Sequence, residues 1–204
     1  LALFAVGTSG FALGRFTEVR PAIFYGMRYV LFSDPLVEQA VRLQLGKAEG
    51  EPILREELES ITELYIYADQ TFATQAEMFV MRGQIDRGEI ASEDGTISTL
   101  DDIIQLKNLQ RLCIGRQPLT DLSALTELSG LISLEIYDCP IESIEAVGTL
   151  SRLQHFTMDN CFSVKDISPL AGCPQLCELV MTSCRAEDFS VLADLPDINY
   201  LHLE

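Results

Sequence analysis

Three residue types that can form a catalytic triad recur at regular spacing in the second half of this 204-residue chain. Ser133, His155 and Glu178 are separated by 22 and 23 residues. A hydroxyl, an imidazole and a carboxylate in contact can activate a nucleophile. However, residues at equivalent positions of adjacent strands lie about 5 Å apart whatever their function. With no oxyanion hole evident, we expect a His155–Glu178 ion pair on an open face and no enzyme activity.

The six cysteines follow the same spacing and do not form a metal-binding pattern. There is no CxxC pair and no cysteine–histidine zinc motif. Cys139, Cys161 and Cys184 occupy equivalent positions, which Gln117 fills in the preceding unit. Because these positions fall just after each apolar triplet, where the chain turns, we expect buried free thiols. We expect no metal and no cofactor.

The spacing of these residues comes from a repeat of apolar side chains. Triplets begin at positions 109, 131, 153, 176 and 198, which are 22, 22, 23 and 22 residues apart. A single unit cannot bury its apolar edge, whereas stacked units share one core. The pattern predicts an α/β solenoid of leucine-rich repeats with a parallel inner sheet. The triplets are Leu109/Leu112/Ile114, Leu131/Leu134/Ile136, Leu153/Phe156/Met158, Leu176/Leu179/Met181 and Ile198/Leu201/Leu203.

A helical N-terminal cap is predicted before the repeats. Asp34 is a favoured N-cap, Pro35 suits the first helical position, and Gly46 is a favoured C-cap. Apolar residues between them, from Leu36 to Leu43, have helical spacing. We divide the chain into a segment 1–31, a helical cap 32–60 and a solenoid 61–204 with an insertion at 67–96.

The insertion interrupts the solenoid after its first rung, which begins at Ile61. Residues 74–85 have helical periodicity, and glycines make the rest of the insertion loop-like. We expect Ala76, Met78, Phe79 and Val80 on the inward face of this helix.

The charge of the chain restricts its partners. There are 31 acidic and 14 basic residues, which give a formal net charge of −17. Such a surface repels nucleic acids and anionic lipids. It is compatible with a soluble surface or with a cationic partner. We expect a protein ligand and no nucleic acid.

The N-terminal residues have a different composition. Residues 1–13 are uncharged, but a helix needs about 20 apolar residues to span a bilayer. We interpret them as the end of a membrane anchor; a buried strand or a helix packed on the solenoid is the alternative. Arg15 and Arg20 follow the run, and positive flanks favour the cytoplasm. Because the chain ends within a strand pattern, we expect a fragment of a longer protein.

Two stretches resemble a known family. The segment FSDPLVEQAVRLQLGKAEG (32–50) resembles the helical cap of internalin-like bacterial surface proteins, and DLSALTELSGLISLEI (121–136) resembles their 22-residue repeats. The resemblance implies a secreted or membrane-anchored bacterial protein that binds a partner on its concave face. The sequence departs from the family in the insertion and in the cysteines that replace the usual asparagine.

Taken together, these patterns predict a non-enzymatic protein-binding module with a concave leucine-rich repeat surface at the bacterial cell surface. An extracytoplasmic sensor domain of a membrane-anchored signalling protein, such as a kinase, is the second hypothesis. An enzyme with a pocket beside the insertion is the third. The sequence is also compatible with a cytoplasmic location. The predicted partner-binding residues are Arg111, Glu135, Tyr137, His155, Asp159, Glu178, Tyr200 and His202.

Overall fold

The structure, a computed structural model, describes residues 28–204 and contains a seven-stranded sheet. The strand order is β2-β1-β3-β4-β5-β6-β7; β1 and β2 are antiparallel, and all other neighbours are parallel. This arrangement confirms the predicted solenoid with a parallel inner sheet. The strands are β1 Glu63–Tyr67, β2 Gln70–Phe72, β3 Arg111–Gly115, β4 Ser133–Tyr137, β5 His155–Asp159, β6 Glu178–Thr182 and β7 Tyr200–Leu203.

Each repeat returns to the next strand through a short 3₁₀ turn. The turns are Ile103–Gln105, Ser123–Glu127, Glu145–Thr149, Ser168–Gly172 and Ser190–Asp194. Leucine and isoleucine side chains of the strands and return segments are buried in one continuous core from Val30 to Leu195. For example, Leu112, Leu134 and Phe156 pair in register and have no exposed surface. Stacking therefore buries the apolar edge that one repeat would leave in water.

The cap helix α1 extends over Pro35–Leu45. Asp34 accepts a hydrogen bond from the backbone N–H of Leu36 at 2.8 Å, and Gly46 ends the helix with a φ of 64°. Four of its apolar residues join the core, but Leu43 is 42 % exposed, although its helical spacing predicted a position on the same apolar face. The helix therefore covers the N-terminal end of the solenoid core.

A buried carboxylate joins the cap to the first repeats. Asp102 is 8 % exposed, and its Oδ2 accepts hydrogen bonds from the backbone N–H groups of Ser33 and Asp34, both at 2.7 Å. Since an unsatisfied buried carboxylate would be costly, these bonds fix where α1 begins relative to the solenoid.

The insertion contains a short edge strand and a helix. Strand β2 pairs with β1, and α2 extends over Gln75–Asp86 with Thr74 as its N-cap. The expected inward face is correct for Met78, which is fully buried, but wrong for Ala76, Phe79 and Val80, which are exposed. The helix is rotated about its axis relative to the predicted orientation, because the sheet below it carries carboxylates and tyrosines as well as apolar groups. These partners attract Arg82 and Gln75 to the inward face.

The cysteine column lies where each strand turns outward. The residue after each of strands β3–β6 has a positive φ, for example 51° at Asp138 and 56° at Asn160, and the column residue follows it. Gln117 donates to the carbonyls of Ala68 and Gly115 at 2.7 and 2.9 Å, and accepts from the N–H of Ile97 at 3.1 Å. The cysteines at the equivalent positions of the following repeats make weaker hydrogen bonds. For example, the thiol of Cys139 donates to the carbonyl of Tyr137 at 3.2 Å.

No helix within residues 28–204 has the length and apolar character needed to cross a bilayer. The membrane-anchor prediction concerns residues 1–13, which lie outside the described residues, as do 14–27. Accordingly, the boundaries of the first segment stay a prediction.

The thiols should fall into two reactivity classes. Cys177 and Cys184 are partly exposed, whereas the other four cysteines are buried. Burial raises the pKa of Cys139 to about 12, and burial likewise raises the pKa values of Cys161 and Cys173 to about 11. Because the thiolate is the reactive form, we expect two thiols to react with Ellman's reagent at pH 8 and the others only after denaturation. A Cys177→Ser/Cys184→Ser variant should lose the fast phase; six fast thiols would contradict this burial.

The same thiols should make the protein less stable in alkali. A thiol in water has an ordinary pKa of 9.0, well below the values of about 12 and about 11 for Cys139 and Cys161 in the folded chain. The unfolded chain therefore loses these protons first, and the free energy of unfolding should fall as the pH rises above about 9. Urea titrations at pH 7 to 10 measure this fall. A Cys139→Ser/Cys161→Ser variant should show a shallower dependence on pH, and an unchanged slope would be inconsistent with the explanation.

Candidate functional site

The inner strands place alternate side chains in three columns on the concave face. Parallel pairing in register puts Arg111 beside Ser133, Ser133 beside His155, and His155 beside Glu178. The next columns, counted from β3 to β7, contain Cys113, Glu135, Thr157, Val180 and His202, and then Gly115, Tyr137, Asp159 and Thr182. The predicted alignment of Ser133, His155 and Glu178 on adjacent strands is confirmed, because the nearly constant repeat length keeps these strands in the same register.

Helix α2 lies across part of this face, and Arg82 is its central contact. The guanidinium Nη2 donates to Oδ2 of Asp159 at 2.6 Å. Its Cζ is 3.8 Å from the ring centroid of Tyr137 and 5.7 Å from that of Tyr67. Burial acts to lower the pKa of Arg82, but the hydrogen bond to Asp159 and the nearby Tyr137, Asp159 and Tyr67 side chains together outweigh burial and raise the pKa. Arg82 therefore stays charged between two aromatic rings and a carboxylate.

Further carboxylates surround the Arg82 contact. The hydroxyl of Tyr67 lies 2.7 Å from Oδ1 of Asp86 and 3.0 Å from Oδ2 of Asp138, so one proton serves two acceptors. Burial, followed by the hydrogen bond to Asp86, raises the pKa of Tyr67. Asp159 also accepts a hydrogen bond from the hydroxyl of Thr182. This network connects α2 with β1, β4, β5 and β6.

Gly115 makes room for the aromatic part of the network. A Cβ atom at this position would be 2.5 Å from Cδ2 of Tyr67 and 2.9 Å from Cβ of Tyr137. Such distances are below any ordinary van der Waals contact. The absence of a side chain in β3 thus lets the tyrosines of β1 and β4 approach each other beneath Arg82.

The N-terminal end of α2 covers a buried carboxylate. Glu135 is 7 % exposed and accepts from Nε2 of Gln75 at 2.5 Å and from the hydroxyl of Tyr137 at 2.9 Å. The carboxamide oxygen of Gln75 in turn accepts from Arg111 Nη1 at 3.1 Å. Burial, followed by the charge of Glu135, raises the pKa of Tyr137. Glu135 and Tyr137 are therefore occupied by contacts within the chain, and neither side chain is free for a partner while α2 is in place.

Beyond α2 the concave face stays open and forms a groove. The groove has a volume of about 460 Å³ and lies between α2 and strands β5–β7. Phe79 contacts Tyr137 edge-on, with ring centroids 6.2 Å apart, and is 41 % exposed; Tyr200 is 51 % exposed. The groove is lined by Gln75, Phe79, Glu135, Tyr137, Thr157, Asp159, Glu178, Val180, Thr182, Tyr200 and His202.

The triad-like residues are close but do not have the geometry of a triad. Nδ1 of His155 is 3.0 Å from Oε2 of Glu178, so the predicted contact is present. Ser133 is only 3 % exposed, and its hydroxyl is 3.5 Å from Oε1 of Glu135. Within residues 28–204, no hydrogen bond links the Ser133 hydroxyl to His155. The arrangement is that of a surface pair beside a buried serine.

The structure separates the predicted partner-binding residues into two groups. Arg111, Glu135, Tyr137 and Asp159 contact α2, whereas His155, Glu178, Tyr200 and His202 lie beyond it. Phe79, Arg82 and Val180 were not predicted as site residues. An arginine in the middle of the insertion helix was the available signal, since an inward arginine requires a carboxylate or aromatic partner.

Replacing Arg82 should loosen α2. In Arg82→Ala, Asp159 loses a charge-assisted hydrogen bond and Tyr137 loses its cationic neighbour. We expect the free energy of unfolding in urea to fall by about 2 to 3 kcal/mol. Arg82→Lys keeps the charge but lacks the planar guanidinium group, so its free energy of unfolding should lie between those of Arg82→Ala and the unaltered chain. Arg87→Ala is a matched control, because Arg87 pairs with Glu89 on the surface. Equal stability of Arg82→Ala and the unaltered chain would contradict this role.

Comparison with known proteins supports the fold. No protein-family model and no curated protein matches the chain. An internalin (inlF) from Listeria monocytogenes aligns with a TM-score of 0.59 and 24 % identity over 85 % of this chain and 52 % of that one, so this chain spans about half of its length. Internalin C2 (inlC2) from the same organism aligns with a TM-score of 0.50 and 24 % identity over 84 % of each chain. The chain thus has an internalin-like leucine-rich repeat fold.

Proposed function

We propose that this chain is a non-enzymatic module that binds a partner protein on its concave face. The observation that carries the proposal is the open groove between α2 and β5–β7. It combines exposed aromatic side chains with polar groups, and aromatic residues frequently dominate the energy of protein interfaces. The likeness to internalins, which have the same fold, adds support, although fold by itself does not define function.

The proposed binding residues are those that remain accessible. His155, Glu178, Tyr200 and His202 belong to the predicted set and lie beyond α2. Phe79 adds an aromatic side chain from α2 itself. Glu135, Tyr137 and Asp159 instead support α2, and Arg111 holds Gln75. The insertion thereby becomes part of the binding surface.

An enzyme is the less favoured function. His155 and Glu178 are both about 40 % exposed in their side chains, and water would surround any reaction there. The adjacent serine is buried under Glu135. These observations favour binding over hydrolysis.

We further propose that the module acts at a bacterial cell surface or is secreted. The fold of the Listeria internalins and the resemblance of the cap and repeats support this location. Attachment to a membrane through residues 1–13 is part of the proposal. The alternative is an extracytoplasmic sensor domain tethered to a signalling protein such as a kinase; it would use the same concave face.

Substitutions in the groove test the binding proposal. The immobilised chain is used to capture protein from bacterial and host surface fractions, and the captured protein is then titrated against variants. We expect Tyr200→Ala and Glu178→Lys to weaken binding by about tenfold or more, which is about 1.4 kcal/mol.

Glu142→Lys is the matched charge-reversal control, because Glu142 lies in a return segment, away from the inner strands. It should leave the affinity unchanged. Binding that is equal for the Tyr200 and Glu178 variants and the unaltered chain would rule out the concave face as the site.

A further inference from the structure

Helix α2 turns a charged side chain toward the sheet and leaves two large apolar side chains exposed to solvent. It directs Arg82 inward, with a side chain that is 16 % exposed, and leaves Phe79 and Val80 41 % and 66 % exposed. Burying a Phe or Val side chain is worth about 1.5 to 3 kcal/mol, so their exposure leaves a favourable contribution unused in the free chain. A partner that covers Phe79 and Val80 would gain this burial free energy on binding.

This orientation of α2 is imposed by specific contacts. Met78 and Ile85 pack into a second apolar cluster with Tyr65, Tyr67 and other sheet residues. Arg82 and Gln75 bond to carboxylates of the concave face. Rotating the helix to bury Phe79 would break all of these contacts together. The exposed position of Phe79 is thus fixed by the folded chain and is not an effect of a loosely held helix.

Apolar surface continues on the opposite side of the groove. Val180 and Tyr200 stand in adjacent columns of β6 and β7, and both line the groove together with Phe79. Tyr200 is 51 % exposed. The groove therefore has an apolar contact on the helix side and another on the strand side, with polar groups between them.

The floor between these contacts is acidic. It contains Asp159 and Glu178, and the buried Glu135 lies at its edge. Arg82 pairs with Asp159, and Arg111 is linked to Glu135 through Gln75. Nδ1 of His155 lies 3.0 Å from Oε2 of Glu178. The three carboxylates outnumber the two guanidinium groups beside them, so the floor keeps negative charge. The chain as a whole carries −17, which disfavours a second copy of itself, a nucleic acid or an anionic membrane as the occupant.

We propose that the groove binds a segment of a partner protein in which arginine or lysine stands next to a large apolar side chain. This inference rests on the proposed function and adds the chemistry of the ligand. The apolar side chain packs against Phe79, Val180 and Tyr200, and the cation pairs with Glu178 at the floor. Apolar contact supplies affinity, and the carboxylate selects for positive charge.

Three labelled synthetic peptides test the proposal with the unaltered 204-residue chain. One alternates arginine and leucine, the second arginine and serine, and the third glutamate and leucine. Fluorescence anisotropy at 0.15 M salt measures each Kd. We expect the arginine–leucine peptide to bind about tenfold more tightly than either of the others, because it alone satisfies both contacts.

Variants locate the binding. Phe79→Ala and Tyr200→Ala should each weaken the arginine–leucine peptide by about fivefold or more, and Glu178→Gln by about threefold or more. Phe162→Ala is the matched aromatic control, because Phe162 is 56 % exposed after β5 and does not line the groove. Glu142→Gln is the matched carboxylate control. Both controls should keep Kd within about twofold of the unaltered chain.

The outcomes separate this inference from the proposed function. Equal binding of both arginine peptides, insensitive to Phe79→Ala, would show general charge attraction and overturn the inference. If none of the peptides binds while a captured protein depends on Tyr200, the binding module stands and the proposed ligand chemistry is wrong. Self-association that is lost in Phe79→Ala would also overturn it. Urea unfolding of each variant confirms folding, and Val180→Thr, in another apolar side chain of the groove, replaces Phe79→Ala if the latter is unfolded.

Discussion

The constraint on which the structure depends is the in-register stacking of units that cannot fold alone. Each unit buries its leucines only against the next, so the repeat length has to stay nearly constant. The same register that aligns Leu112 with Leu134 also aligns Cys113 with Glu135 on the opposite side of the strands. The core thereby determines which side chains become neighbours on the concave face. The columns therefore arise from core packing, whether or not they have a function.

The insertion uses these columns as a docking surface. Its helix contacts side chains from four strands, and the Arg82 contact depends on Asp159, Tyr137 and the space above Gly115. Because the carboxylates and rings are held by the rigid parallel sheet, the helix has one favoured orientation. In that orientation α2 covers part of the concave face and leaves a groove between the helix and the last strands. The candidate site is thus made jointly by regular repeats and by their interruption.

Sequence reasoning succeeded where local spacing determines structure. The cap helix, the strand register and the His155–Glu178 contact all follow from residues at fixed intervals. It failed for the face of α2, because the partners of Arg82 and Gln75 lie 77 and 60 residues away in the chain. A hydrophobic pattern directs Phe79 inward, and only the carboxylates of distant strands reverse that preference. For the same reason, the burial of Glu135 and Tyr137 was not predictable.

Native-state hydrogen exchange of α2 tests most directly whether this helix is a fixed wall of the groove. If the network around Arg82 holds it, the backbone amides of 79–85 should exchange through openings that cost about 3 kcal/mol or more, and much more slowly than those of the exposed loop 91–96. Amides of α2 that exchange as fast as those of this loop would show a helix that is mostly undocked. That result would contradict a concave face divided by a fixed helix into a wall and a groove.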